Sequence, residues 1–91
     1  MSELVDIGFD HQIEFVEYEG EIVAINDFHK RKDGTGCSGF APFKGRKWAN
    51  QFPNSPSWDV VSMNPLTLTP SLLCRTCGDH GFIRDGKWVP A

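Results

Sequence analysis

The plainest capacity for chemistry in this sequence lies in three cysteines, Cys37, Cys74 and Cys77, and three histidines, His11, His29 and His80. Cys74 and Cys77 form a CxxC followed directly by Gly78. Two thiolates at that spacing can grip one ion while the backbone N–H groups after them turn in toward the sulfurs, and glycine accepts the left-handed conformation such a turn requires. Soft thiolates with an imidazole within reach favour zinc over magnesium or calcium. A closed structural site takes four ligands. His80, three residues past Cys77, is the expected third, and Cys37, in the glycine-rich segment Gly34–Gly39, the expected fourth. The expected tetrad is therefore Cys37, Cys74, Cys77 and His80, with His29 as the alternative ligand. His11, beside the acidic N-terminal segment, is a poor candidate. A site filled by four protein ligands leaves no position for water, so it stabilises and does not hydrolyse. Two other uses of the thiols compete with this one. Free cysteines often serve as small buried residues, and a redox CxxC usually opens a helix, which Gly78 and the strand-like residues after it argue against.

Other residues carry weaker signals of catalysis and binding. Phe40-Ala-Pro-Phe43-Lys44-Gly-Arg46-Lys47-Trp48 interleaves aromatic rings with cations, the pattern of surfaces that stack bases and meet phosphates. With Lys30, Arg31 and Lys32 it gives an alternative reading as a basic nucleic-acid patch. Asp33-Gly34-Thr35-Gly36 matches the short motif of aspartic proteases, but it would act only if paired with a second chain's carboxylate. Asp79 and His80 would make an acid–base pair only if His80 held no metal, since a metal-bound imidazole is no general base. There is no GxSxG and no Walker loop. No catalytic residue is assigned, and a non-enzymatic role is expected.

The elements that must position these residues read as strands. Gln12–Tyr18 and Glu21–Phe28 are rich in β-branched and aromatic residues and flank Glu19-Gly20, a hairpin turn. Apolar residues of both parities imply that one of the two strands is covered on both faces. His29–Pro56 reads as loop, with room for a short helix or strand near Lys47–Phe52. Strand character returns at Trp58–Met63 and Leu66–Thr69. The segment Gly81–Val89 is a hairpin about Asp85-Gly86 whose register sets Ile83 opposite Trp88. The expected fold is mainly β: five to seven short strands in antiparallel hairpins, little helix, one zinc-stapled domain over residues 1–91.

Length and charge bound what such a domain can be. A chain of 91 residues buries only about 60–65% of its extended surface, so a staple that adds folding energy is useful. No run approaches the roughly 18 apolar residues of a membrane span, and the acidic start lacks the features of a secretory signal. Three cysteines cannot close a disulfide set, which fits a reduced, cytoplasmic setting. Residues 1–29 hold eight acids and no Lys or Arg, while residues 30–91 hold all nine basic residues and four acids. That asymmetry suits a partner surface of either sign, or strands whose wet-side acids pair with the basic half.

One resemblance adds to this reading. Trp58, the run Leu66-Thr67-Leu68-Thr69-Pro70-Ser71-Leu72 and the segment His80-Gly81-Phe82-Ile83-Arg84-Asp85-Gly86-Lys87-Trp88 resemble a family of small bacteriophage proteins over roughly a third of the chain. Its members share a Trp, a Pro-Ser segment and a terminal Cys-His-x-Phe-Ile-x-Asp-Gly-x-Trp hairpin, often with an upstream CxxC. This sequence has Asp79 where the family has Cys before the His, and only Cys37 upstream. The resemblance implies a compact zinc-binding β protein with His80 as a ligand. It also implies a phage accessory protein of the host cytoplasm whose partner is a host protein, such as a defence or nuclease component to be inhibited. The family lends no established activity.

Overall fold

A computed structural model describes residues 3–91. Strands β1 (Val5–Gly8), β2 (His11–Tyr18), β3 (Glu21–Lys30) and β4 (Gly36–Pro42) pair antiparallel in chain order. A single helical turn, α1 (Lys47–Asn50), leads to β5 (Asp59–Met63) and β6 (Leu66–Thr69), a two-stranded sheet. A last sheet holds β7 (Leu72–Leu73), β8 (His80–Arg84) and β9 (Lys87–Pro90). The fold is mainly β and built from short antiparallel hairpins, as the residue pattern requires.

Both expected tight turns form. Glu19 and Gly20 have φ of 51° and 78°, Asp85 and Gly86 of 51° and 74°, the double positive φ of a two-residue hairpin that matches strand twist. The terminal register is Ile83 opposite Trp88 and Phe82 opposite Val89. The tip of that hairpin docks on β6: the Gly86 N–H donates to the Leu66 carbonyl at 2.8 Å and the Asp85 N–H to the Thr67 hydroxyl at 2.9 Å.

The structure holds more strands than the five to seven expected. β1 and β7 are short, and the main addition is β4, which lies in the stretch read as loop. Gly36-Cys37-Ser38-Gly39 has weak intrinsic strand preference, and pairing along the full run from Lys30–Gly36 to Ala24–Pro42 with the long strand β3 overrides it. Beyond β4 the loop reading of 43–56 stands, apart from α1.

Alternation along β3 sets the interior. Val23, Ile25, Asp27 and His29 share one parity and are buried, while Phe28 and Lys30 are exposed. Ala24 is buried as well, so this strand is covered on both faces at its centre. The core joins Ile7, Ile13 and Ile25 of the first sheet to Leu66 and Leu68 of β6 and to Ile83 and Trp88 of the terminal hairpin, around the fully buried Phe43. Gly81 permits this closure. A Cβ there would lie 2.5 Å from the Trp88 ring and 2.7 Å from the Val89 carbonyl oxygen.

Candidate metal centre

Pairing of β3 with β4 places His29 opposite Cys37. The segment after β7 brings Cys74 and Cys77 beneath that pair. Its turn is closed by the Gly78 N–H donating to the Cys74 carbonyl at 2.7 Å and the Cys74 N–H donating to the Asp79 carbonyl at 2.8 Å, with Gly78 at φ 81°. Cys37 Sγ lies 3.6 Å from Cys74 Sγ, and His29 Nε2 lies 3.2 Å from Cys77 Sγ. One donor atom from each of the four residues falls within 4.8 Å of every other. Bonds of about 2.3 Å to sulfur and 2.0–2.1 Å to nitrogen in a tetrahedron separate ligand atoms by roughly 3.4–3.8 Å. The four side chains are therefore gathered at coordination spacing, and the cysteines are free thiols.

Three of the four expected ligands meet here; the histidine is different. His29 takes the place assigned to His80. β8 turns Gly81 and Ile83 inward and His80, Phe82 and Arg84 outward, so His80 stands on the wet face, where Nε2 meets the Ser71 hydroxyl at 2.8 Å. A three-residue spacing from Cys77 favours a shared turn, but here a strand begins at His80 and alternation carries the ring away. His29 was the alternative ligand in the sequence, and the unrecognised strand β4 is what brings it to Cys37.

The thiols influence one another strongly. Burial pushes the Cys74 thiol up, but N–H groups of Cys77 and Thr76 and hydrogen bonds from the neighbouring thiols outweigh it, lowering its pKa from 9.0 to about 6. For Cys77 the Asp79 N–H acts downward, while burial and the Cys74 and Cys37 sulfurs push the thiol up to about 11. A site that holds one thiolate this readily and resists a second is poised for a cation that neutralises the rest.

His11, a poor ligand candidate in the sequence, lies directly behind the cluster at 1% exposure. Its Nδ1 is 2.9 and 3.0 Å from the two Asp27 carboxylate oxygens, and its Nε2 is 2.7 Å from Asp79 Oδ2. The ring stacks on Trp88 at 3.8 Å and on His29 at 4.9 Å. Burial alone would lower its pKa; hydrogen bonds and charge from Asp27 and Asp79 outweigh that and raise it. Asp79 thus faces His11, and the Asp79–His80 acid–base pair does not form. Strand parity could have flagged Asp27, which falls on the apolar face of β3; no local signal marks the pairing of His11 with Asp79 across 68 positions.

The basic aromatic segment divides. Lys30, Arg31 and Lys32 leave the far end of β3, beside the metal cluster, whereas Lys44–Trp48 docks at its beginning, about 25 Å of strand away. Arg46 donates to the Ile22 carbonyl at 3.0 Å and Lys47 lies 3.9 Å from a Glu19 carboxylate oxygen. The single patch expected from the sequence is therefore two separate groups, one of them largely engaged with the protein itself. Trp48 meets Tyr18, Phe40 and Phe52 by its edges and face. With Pro42, Pro56 and Trp58 the last two and Trp48 line an open groove of about 310 Å³. Asp33 is a hairpin residue, accepting from the Thr35 N–H at 3.0 Å and from its hydroxyl at 2.6 Å, which accounts for the Asp-Gly-Thr-Gly motif without catalysis.

Comparison with family models, with curated proteins and with solved structures returns no match for this chain. No described helix is long and apolar enough to cross a membrane.

Proposed function

We propose that this protein is a zinc-stapled binding domain with no catalytic centre of its own. The observation that carries the reading is the convergence of His29 and Cys37 from the β3–β4 hairpin and of Cys74 and Cys77 from the knuckle onto one point. Three thiolates and an imidazole are a donor set suited to zinc, and four protein ligands fill its tetrahedron. The ion would tie the β3–β4 end of the first sheet to the segment preceding β8, adding folding energy that a small core supplies sparingly.

Binding would then fall to the surface. The C-terminal resemblance supports a bacteriophage accessory protein acting in the host cytoplasm on a host protein, with inhibition of a defence or nuclease component as the expected outcome. The groove beside the acidic β2–β3 turn favours a protein over a nucleic acid: Phe40 and Phe52 are 42% and 44% exposed, and large aromatics dominate protein-interface energetics. A nucleic-acid module is the second reading. It would use Lys30, Arg31 and Lys32, and its affinity would fall steeply with salt.

Elemental analysis of the purified full-length chain tests the central claim. One equivalent of zinc is expected, lost in Cys74→Ser together with cooperative unfolding. Metal-free protein that unfolds as cooperatively as the zinc-treated chain would overturn it.

A further inference from the structure

The four ligands leave two of the three buried polar side chains among the described residues unexplained. His11, Asp27 and His29 are 1%, 6% and 5% exposed, and only His29 belongs to the metal set. Both ring nitrogens of His11 approach carboxylate oxygens at 2.7–3.0 Å. The ring is thereby held between two carboxylates, by Asp27 at Nδ1 and by Asp79 at Nε2. His29 supplies Nε2 to the thiol cluster, and its Nδ1 has no hydrogen-bond partner among the described residues, with Asp27 Oδ1 facing it at 3.6 Å. A ligating imidazole carries its hydrogen on the other nitrogen, and a carboxylate facing that hydrogen fixes the tautomer and the ring's orientation.

We propose that His11, Asp27 and Asp79 form a hydrogen-bonded carboxylate–imidazole–carboxylate clamp that positions His29 for metal binding and fastens the cysteine knuckle to β2. Asp27 Oδ1, 3.6 Å from His29 Nδ1, favours the hydrogen on that nitrogen by charge and so leaves Nε2 for the ion. His11 holds both oxygens of Asp27 in place, and through Asp79, two residues past Cys77, it anchors the knuckle. These are positioning residues, and the inference rests on the zinc reading above. The competing arrangement is a second cation shared by His11, Asp27 and His29, whose donor atoms also lie within 4.8 Å of one another. The distances favour the clamp. His11 Nδ1 sits 2.9 and 3.0 Å from the two Asp27 oxygens, as direct hydrogen bonds do, whereas tetrahedral ligands on bonds of about 2.0–2.2 Å stand roughly 3.3–3.5 Å apart.

Zinc and cobalt(II) affinities of the full chain, measured by chelator competition, test this in Asp27→Asn and His11→Gln. Asp27→Asn is expected to bind about 10–100-fold more weakly while keeping the cobalt–thiolate spectrum of the wild type, and His11→Gln to weaken binding in the same direction. Wild-type protein that holds one zinc, with Asp27→Asn within about three-fold of it, overturns the clamp and leaves the metal site standing. Should these variants fail to fold, imidazole nitrogen NMR of the zinc-loaded wild type decides. The clamp requires His29 bound through Nε2 with its hydrogen on Nδ1, and His11 free of metal. Ligation of the metal by His11, ligation through His29 Nδ1, or two equivalents of metal would overturn it. A wild type that binds neither metal removes the zinc reading and the clamp with it.

Discussion

The two ends of β3 present opposite solutions to the same problem. At its C-terminal end, His29 and Asp27 are buried: His11 from β2 meets Asp27 and is itself held by Asp79, and Cys77 meets His29 beside Cys37 and Cys74. At its N-terminal end, Ile22 and Glu21 receive Arg46 and Lys47 from the α1 segment, and the aromatic rings around Trp48 stay half open to water. One end is polar, enclosed and convergent; the other is apolar, open and shallow. Buried polar groups demand partners with defined geometry, so the first end is committed to one arrangement. An open aromatic groove has no such requirement and is free to receive something else.

Two tryptophans measure the contrast in stability. Trp88 is 4% exposed and stacked on His11, so Trp88→Ala is expected to cost about 3–5 kcal/mol by denaturant unfolding. Trp48, at the groove, should cost only about 1–2 kcal/mol on truncation, since its cluster is partly hydrated already. Equal losses would show that the groove belongs to the core. Two histidines measure the contrast in metal binding. His29→Ala is expected to lose more affinity than the about 10–100-fold typical of an outer partner, whereas His80→Ala, on the wet face of β8, should leave affinity unchanged; cobalt titration reads both.

A smaller effect concerns the metal-free protein. The thiolate is the reactive form, so a Cys74 pKa lowered from 9.0 to about 6 makes that residue the first to be alkylated at neutral pH. Its rate should reach half its maximum near pH 6, and Cys77, pushed up to about 11, should react last. Peptide mapping by mass spectrometry follows both. The same shift links to stability. A group whose pKa is lower folded than unfolded stabilises the fold above its unfolded value, and that contribution is lost as pH falls through about 6.

Much of this was legible in the residues. Asp85-Gly86 and Glu19-Gly20 marked two turns, and Asp85-Gly86 set a register as well, because Asp-Gly accepts positive φ at both positions. Cys74, Cys77 and Gly78 announced a knuckle, and Cys37 was the thiol left to complete it. The histidine was less legible because its identity depends on β4, whose two glycines and small residues carry little strand signal and which forms only because β3 offers a long edge. A single strand boundary decided between His29 and His80. The His11–Asp27–Asp79 network was illegible for a further reason: its members meet only in the tertiary structure, and nothing local marks His11 for enclosure.

The contact between His11 and Asp79 also has a kinetic side. It joins residues 68 positions apart, whereas β1 to β4 pair with their nearest neighbours along the chain. Loop-closure entropy and contact order make local pairings quick and distant ones slow. The four-stranded meander should therefore assemble early and offer His29 and Cys37 as a half-built cradle, and the seam sealed by His11, Asp79 and Trp88 should close last. Thermal opening, running the sequence backward, would begin by peeling the knuckle and terminal hairpin from a sheet that is still intact.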